Sequence, residues 1–293
     1  MMLKIEHLSK NFGQKEVLKD LSLTVSNKSI VGLVGINGAG KSTLLRSIAG
    51  VYEPEKGSIT LDGRSTYYDK ATRKKIAFVS DEAYFPLGST IESLKLFYEC
   101  MYDFDPEAYM KYLKMFELDP KASISTFSKG MKRRVSLLLA LSIHPGLMLL
   151  DEAYDGLEPI ARLHFKNALT DLLEDEDISV IISSHSLKEL EDICDSFAIL
   201  EDGRIMSGGD LSESKENIKK YQLAFKEELG REDFHDLDIL QFEKEGQVYK
   251  LVIRGDSEQV EEKLRAMNPI LLNILPVNFE ELFIYELERE ARS

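Results

Sequence analysis

Cysteine is scarce in this sequence, which has only Cys100 and Cys194 among its 293 residues. Both lie in stretches whose apolar spacing predicts helices. Two isolated cysteines of this kind favour idle reduced thiols over a metal site. We therefore expect a cytosolic protein without disulfides.

Long apolar runs are also missing. The longest, Val135–Ile143, covers about nine residues, roughly half of what a helix needs to cross a bilayer. The first residues, Met1–Glu6, lack the long apolar region of a signal peptide. We therefore interpret Val135–Ile143 as part of a core helix, and we expect any role at a membrane to come through a partner protein.

Basic residues are outnumbered, since 37 Lys and Arg face 51 Asp and Glu, for a net charge of −14. This acidity argues against broad binding to a nucleic-acid backbone, so no nucleic-acid partner is expected. Hydrophobic residues make up 43% of the chain, which allows one large domain and a smaller one.

A glycine-rich stretch dominates what is present. Gly35–Thr43 reads Gly-Ile-Asn-Gly-Ala-Gly-Lys-Ser-Thr, between a short β-branched strand pattern and a helical one. Such a loop presents backbone N–H groups to phosphates, Lys41 would reach the β- and γ-phosphates, and the Ser42 hydroxyl would bind Mg²⁺. A turn without a ligand is the alternative, and the run of glycines before Lys-Ser disfavours it. The candidate ATP-binding residues here are Gly35, Asn37, Gly38, Ala39, Gly40, Lys41, Ser42 and Thr43.

Two carboxylates follow an apolar strand pattern about a hundred residues later. Leu147–Leu150 is followed by Asp151 and Glu152. Asp151 would face the phosphate loop and hold Mg²⁺, and Glu152 could act as general base toward water. A strand ending at a solvated acidic turn is the alternative, which the preceding phosphate loop weakens.

Alternating strand and helix patterns predict the fold class. Leu3–Leu8 and Val17–Val25 alternate as a half-exposed antiparallel layer, and Thr90–Leu118 has helical spacing throughout. Leu147–Leu150 and Ile178–Ser183 read as buried strands separated by a helix. This order predicts an α/β domain with a parallel sheet covered by helices.

Composition turns small and polar at Gly208–Ser214, which we interpret as a linker. We expect one domain over residues 1–210, with a helical insertion at about 88–145, and a small α+β accessory domain over 211–293. The second domain is loosely ferredoxin-like in element order and ends in a predicted helix, Phe279–Arg289.

From the N-terminus to about residue 210, the sequence resembles the ATP-binding subunits of ATP-binding cassette (ABC) transporters. The resemblance lies in the order of the phosphate loop, Phe127–Met131, Leu147–Glu152, Tyr154–Pro159 and His185. Phe127–Met131, called here the signature segment, resembles the L-S-G-G-Q signature of the family. The resemblance implies a P-loop NTPase fold, ATP and Mg²⁺ as ligands, and ATP hydrolysis.

The resemblance also implies roles for four further residues. Phe12 aligns with the aromatic residue that stacks on adenine, although a lone Phe is more often part of a core. Ser128 and Gly130 would donate to the γ-phosphate of ATP on an opposite subunit. His185 would bind the γ-phosphate and orient Glu152 and water, where a solvated helix cap is the alternative.

The sequence departs from the family pattern at several positions. Lys129 and Met131 replace the second Gly and the Gln of the signature, and Glu158 stands where Asp is usual. Asp81 stands where a Gln normally contacts Mg²⁺, which makes Asp81 a further metal candidate. The segment Glu82–Gly88 is a candidate for docking a partner, with Tyr84 and Phe85 as apolar anchors.

The implied function is that of an ATPase subunit which dimerises around two ATPs and drives separate transmembrane permease subunits. It would act on the cytoplasmic face of the membrane, with an identical or a different ATP-binding partner. The ABC-2 type exporters resemble it most, and importers stay possible. Two alternatives stay open: a soluble ABC ATPase acting on ribosomes or DNA, and a regulatory subunit with weak hydrolysis.

Overall fold

A computed structural model gives the fold of the chain. It describes residues 2–154, 157–175, 177–185, 190–211 and 216–278, together with Glu281, Ile284 and Tyr285. The chain forms two compact units, Met1–Gly208 and Gly209–Ser293. Most of the predicted helix Phe279–Arg289 and part of the predicted linker lie outside the described residues.

An antiparallel sheet of four strands opens the first unit, in the order β2-β1-β4-β5. Strand β1 pairs with β2 from Leu3 opposite Val25 to Phe12 opposite Lys15, and β4 adds to its other side. Alternation of apolar and charged residues along β1 places Leu3 and Ile5 inside and Lys4 and Glu6 outside. The strands are β1 Leu3–Phe12, β2 Lys15–Val25, β4 Lys56–Leu61 and β5 Arg64–Ser65.

A six-stranded sheet forms the centre of the first unit, in the order β10-β9-β3-β8-β7-β6. Its pairs β9·β3, β3·β8, β8·β7 and β7·β6 are all parallel. The three innermost strands are buried at every position, which explains their unbroken apolar runs. The strands are β3 Ile30–Val34, β6 Ile76–Val79, β7 Leu147–Asp151, β8 Ser179–Ser184, β9 Ser196–Glu201 and β10 Arg204–Asp210.

Helix α1, Lys41–Ile48, packs in a hydrophobic core cluster of this unit. Leu44, Leu45 and Ile48 are fully buried in it. The same cluster contains residues of β1 and β2 and residues of β3 and β7. The phosphate loop that precedes α1 is therefore attached to a helix that is anchored in this core.

The sequence predicts helical structure throughout Thr90–Leu118, and the structure has two helices in that stretch with a break between them. Helix α3 ends at Met101, and α4 begins at Pro106 after Asp105, whose carboxylate accepts a hydrogen bond from the Glu107 N–H (2.7 Å). Asp followed by Pro starts a new helix, since Asp caps it and Pro fits its first turn. The prediction that the whole stretch is helical was wrong between the two helices. The helices are α2 Lys70–Arg73, α3 Ile91–Met101, α4 Pro106–Met115, α5 Lys129–Leu141 and α6 Pro159–Asp175.

The second unit contains an antiparallel sheet of the order β12-β13-β11-β14. This order matches a ferredoxin-like sheet, although a 3-10 turn at Arg231–Phe234 stands where the first helix of that fold would be. Its core is aromatic and aliphatic, with Phe225, Phe234 and Tyr249 in edge-on or tilted contact. The elements are β11 Ile218–Ala224, β12 Asp238–Glu245, β13 Val248–Arg254, α7 Ser257–Ala266 and β14 Leu271–Leu275.

Both cysteines are free, Cys100 exposed and Cys194 buried. Burial raises the pKa of the Cys194 thiol, and the nearby Asp195 carboxylate adds to this shift. Among the helices in the described part of the chain, none combines the length and apolar character needed to span a bilayer.

Candidate active site

Four parallel strands bring the predicted site residues to one edge of the central sheet. Strand β3 leads into the phosphate loop, β6 ends just before Asp81, β7 ends at Asp151, and β8 ends just before His185. Because parallel strands share their direction, their carboxyl ends meet at the same edge. Sheet topology therefore collects residues that are about 150 positions apart in the sequence.

The phosphate loop depends on two glycines for its path. A Cβ on Gly35 would lie 2.3 Å from the Leu200 carbonyl oxygen, so no side chain fits there without a backbone shift. Gly40 caps α1 with φ 111°, a conformation that L residues rarely adopt. The loop passes close to β9 and leads directly into the N-terminus of α1, where backbone N–H groups favour the binding of anions.

Lys41 supplies the buried cation of the loop. Only 6% of its side chain is exposed, and Nζ donates to the Gly35 carbonyl (2.7 Å) and the Ile36 carbonyl (3.3 Å). Nζ also lies 3.6 Å from Glu152 Oε1. Lys41 thus lies between the loop backbone and a carboxylate at the end of β7.

Asp151 ends β7 in a fully buried position, with 1% of the residue exposed. Its Oδ1 accepts a hydrogen bond from the Ser183 hydroxyl (2.8 Å), which belongs to the neighbouring strand β8. Its Oδ2 is buried without a hydrogen-bond partner among the described residues. A buried carboxylate oxygen without a partner is costly, and a bound cation would satisfy it.

Glu152 adopts an unusual backbone conformation next to Asp151. Its φ of 49° is in the left-handed region, which costs a non-glycine residue about 1–2 kcal/mol. The Glu152 N–H donates to the Ser183 carbonyl (3.2 Å) and to the Ser183 hydroxyl (3.1 Å), which holds this conformation. Glu152 Oε2 lies 2.9 Å from Nδ1 of His185, whose ring is 60% exposed.

Several of these residues line one open cleft of about 380 Å³. The cleft brings together the phosphate loop, Glu152 after β7 and His185 after β8. Residues predicted separately to bind phosphate, to act as the base and to contact the γ-phosphate therefore line the same cleft. The lining residues are Val17, Asn37, Gly38, Gly40, Lys41, Ser42, Thr43, Asp81, Glu152 and His185.

Six predicted site residues are not among the described residues that line this cleft: Phe12, Gly35, Ala39, Ser128, Gly130 and Asp151. Phe12, at the end of β1, packs edge-on against Tyr52 with ring centroids 5.2 Å apart, and its adenine-stacking role stays a prediction. Ser128 caps α5, where its hydroxyl accepts from the Met131 N–H (3.2 Å), and Gly130 lies in the first turn. The signature segment therefore begins a helix at Ser128 and Gly130, which do not line the cleft of their own chain.

Comparisons with known proteins agree with this geometry. A family model described as ABC transporter matches residues 18–155. The chain is 31% identical to the ABC transporter ATP-binding protein YtrB of Bacillus subtilis, over 99% of this chain and 100% of that protein. The chain belongs to the ABC transporter ATP-binding proteins. As a member of this family it is an ATPase that serves as the ATP-binding subunit of a transporter.

Further relatives of this ATPase cover most of its length or its first unit. Nod factor export ATP-binding protein I of Rhizobium johnstonii is 32% identical over 97% of this chain and 94% of that protein. Among solved structures, one titled as the ATP-binding subunit of an ABC transporter has 28% identity and a TM-score of 0.68. It covers 73% of this chain and 92% of its own.

The structure adds two residues that the sequence did not single out. Ser183 contacts both Asp151 and Glu152, and its signal was a polar residue at the end of an otherwise apolar strand. Arg133 has only 1% of its side chain exposed, and its signal was a charged residue just ahead of the apolar run in α5. A buried charge in a helix has to find a specific partner, which the sequence does not identify.

Two ion pairs involve positions where this ATPase departs from its family pattern. Arg133 Nη2 lies 3.0 Å from Asp81 Oδ1. Arg134 Nη2 lies 3.1 Å from Glu158 Oε2. Both arginines belong to α5, so this helix contacts both the Asp81 position and the segment that follows Glu152. Gly156, in that segment, lies outside the described residues.

Proposed function

We propose that this ATPase binds ATP with Mg²⁺ in the cleft above the central sheet and hydrolyses it at a site completed by a second ATP-binding subunit. The observation that carries the proposal is the cleft itself, which joins Lys41, Ser42, Glu152 and His185. Phosphoryl transfer to water requires donors and a cation that hold the phosphates, and a group that positions the attacking water. The loop N–H groups, Lys41, and Glu152 beside His185 are groups of these kinds.

The residues present fit a magnesium ion. The unpartnered Oδ2 of Asp151 and the half-buried Ser42 hydroxyl are oxygen ligands of the kind Mg²⁺ prefers. No cluster of three or more His, Cys, Asp or Glu is present among the described residues, and phosphates and water usually complete a magnesium shell. When bound, the ion would neutralise charge that develops on the phosphates.

Lys41 and the loop N–H groups hold the β- and γ-phosphates in this proposal. Glu152 accepts a proton from the attacking water, and His185, 2.9 Å from Glu152, orients that carboxylate and contacts the γ-phosphate. Ser183 holds the Glu152 backbone through two hydrogen bonds, which keeps the base aimed at the cleft. Phe12 is proposed to stack on adenine, as in the family pattern.

Ser128 and Gly130 act on the nucleotide of a second subunit. They are placed at the N-terminus of α5, where backbone N–H groups attract an anion, and they do not line the cleft of their own chain. Binding of two ATPs would therefore join two subunits, and hydrolysis would release them.

The permease is proposed to dock beside the segment Glu82–Gly88. Tyr84 is 87% exposed and Leu87 fully exposed. A groove of about 530 Å³ is lined by Tyr84 and Phe85, by apolar residues of β6, α3 and α5, and by Lys70, Arg73 and Lys74. Such a groove suits a short amphipathic helix of a membrane subunit. The ATPase would then work at the cytoplasmic face of the membrane.

Export is the proposed direction of transport. Several similar proteins carry export or resistance in their names, among them Nod factor export ATP-binding protein I and the linearmycin resistance ATP-binding protein LnrL of Bacillus subtilis. Size and charge of the cargo depend on the membrane subunit.

Glu152→Gln tests the shared site. Without the base, ATP persists in the site, so the variant should elute as a dimer from size-exclusion chromatography with ATP and Mg²⁺ and as a monomer with EDTA. Glu174→Gln makes the same change on the exposed face of α6 and should behave as the wild type. A Glu152→Gln variant that binds ATP yet stays monomeric at saturating ATP would overturn the shared-site mechanism.

A further inference from the structure

The Asp81 carboxylate lies where the nucleotide cleft meets helix α5. It lines the cleft together with Ser42 and Glu152. Its Oδ1 is 3.0 Å from Arg133 Nη2 and 3.6 Å from Lys129 Nζ. One carboxylate oxygen of the cleft therefore contacts two cations of the same helix.

Arg133 is the buried member of this cluster. Its side chain is 1% exposed, and Nη1 donates to the Ser80 carbonyl (2.6 Å) and the Asp151 carbonyl (3.4 Å). A guanidinium at this depth requires a counter-charge, and within the described residues Asp81 is the carboxylate in contact with it. Arg133 therefore connects Asp81 to the ends of both β6 and β7.

Lys129 is the exposed member, with 61% of its side chain accessible. It is the first residue of α5, and the first turn of that helix has no acidic side chain. A cation at a helix N-terminus is unfavourable, and Asp81 supplies the negative charge that this turn lacks. Because both side chains are partly solvated, this contact is weak and exchangeable.

We propose that Arg133 is a positioning residue that holds the Asp81 carboxylate toward the magnesium nucleotide, with Lys129 as the exchangeable partner that links Asp81 to the signature segment. This inference rests on the proposed function, since it requires a magnesium nucleotide in the cleft. Asp81 is attracted by the charge of the bound magnesium and loosens its contact with Lys129. Arg133 keeps its contact with Asp81, because its buried guanidinium has almost no access to solvent.

The cluster also explains two departures from the family pattern together. A carboxylate at position 81 and a lysine at position 129 compensate each other's charge, and Arg133 makes the carboxylate preferable to a neutral amide. Binding of the magnesium nucleotide in the cleft thereby changes the ion pair of Lys129. Lys129 belongs to the signature segment, which is proposed to face the ATP site of the second subunit.

The first test measures the affinity for a fluorescent ATP analogue with Mg²⁺ and with EDTA, in the full chain. The variants are Asp81→Asn, Arg133→Met, Arg133→Lys and the double variant Asp81→Asn/Arg133→Met. Asp81→Asn and Arg133→Met should each reduce the magnesium-dependent gain in affinity by about three- to tenfold, as expected for one charge-assisted contact. The double variant should lose no more than either single variant, and Arg133→Lys should retain most of the gain.

A matched control removes another ion pair between elements. Lys111 and Asp171 join α4 to α6 at 2.8 Å, away from the cleft, so Lys111→Met/Asp171→Asn should leave the magnesium dependence unchanged. An unchanged magnesium dependence in Asp81→Asn, or additive losses in the double variant, would overturn the inference. Absence of magnesium-dependent binding in the wild type itself would instead contradict the proposed function, and this inference with it.

A second test measures the reactivity of the Lys129 amine, and it does not require the Arg133→Met variant to fold. Acylation of Lys129 is measured by mass spectrometry with and without ADP and Mg²⁺, since ADP lacks the γ-phosphate that a second signature segment would bind. Acylation should become about two- to fivefold faster with Mg-ADP in the wild type, which is the scale of a solvated ion pair. The rate should not respond to Mg-ADP in Asp81→Asn. A wild-type rate that does not change with Mg-ADP would overturn the exchange.

Discussion

The two compact units differ in what they bury. In the first unit, the charged side chains Lys41, Arg133 and Asp151 are buried, together with several hydroxyl residues. In the described part of the second unit, the buried side chains are apolar or aromatic, and none is charged. Burial of a charge is unfavourable without specific partners. The first unit thus retains groups that its chemistry needs, and the second has a core suited to stability alone.

The same contrast holds for two buried oxygen atoms that have no hydrogen-bond partner in the described part of the chain. Asp151 Oδ2 lies at the carboxyl end of a parallel strand beside the phosphate loop, and Tyr221 OH lies in the core of the antiparallel sheet. Asp151 precedes Glu152, which lines the proposed nucleotide cleft, whereas Tyr221 belongs to a hydrophobic cluster. Substitutions in the first unit should therefore mainly change ATPase activity, and substitutions in the second unit should mainly change stability.

The largest expected effect on stability is that of Phe234→Ala. Phe234 is 2% exposed and contacts Phe225, Phe242 and Tyr249. Its truncation should destabilise the second unit by about 3–5 kcal/mol. Urea unfolding followed by tyrosine fluorescence should then show an early transition, while ATPase activity below that transition stays within about twofold of the wild type. A loss of ATPase activity in proportion to the loss of stability would contradict this contrast between the units.

Asp151→Asn should have the largest effect on catalysis. The amide is isosteric but does not neutralise a cation, so turnover measured by phosphate release should fall by about 10²–10³-fold. The melting temperature should stay equal or rise, since the substitution removes a buried charge. Activity close to that of the wild type would show that the unpartnered Oδ2 has no part in metal binding.

A glycine pair gives a smaller effect in each unit. Gly35→Ala places a Cβ 2.3 Å from the Leu200 carbonyl oxygen, so the phosphate loop has to shift and ATP affinity should fall about tenfold or more. Gly246→Ala, at φ 64° in the β12–β13 turn, meets no atom within 4 Å. It should cost about 1 kcal/mol of stability and leave ATP affinity unchanged, as isothermal titration calorimetry can determine.

Tyr221→Phe should have the smallest effect. Burial raises the pKa of the Tyr221 hydroxyl to about 12, with a further contribution from the Glu261 carboxylate. Removal of a buried hydroxyl without a partner should stabilise the second unit by about 1 kcal/mol or leave it unchanged. A loss of more than about 1 kcal/mol in urea unfolding would reveal a hydrogen bond to that hydroxyl in solution.

Much of the fold could be predicted from the sequence because periodicity reports burial directly. The unbroken apolar runs of β7 and β8 indicated interior parallel strands, and the alternation in β1 indicated a half-exposed one. Helix boundaries were harder, since the break between α3 and α4 depends on Asp105 and Pro106 in a stretch that keeps helical spacing. Local capping there prevailed over the apolar pattern.

The sequence by itself determined the phosphate loop, the carboxylates at the end of β7 and the family, because those features need particular residue types at close spacing. Only the tertiary structure decided how Asp81, Arg133 and Lys129 meet, and that Ser183 holds both Asp151 and Glu152. The physical reason is that contacts across neighbouring strands and helices are set by sheet order and burial. A linear pattern contains the residues but not their distances.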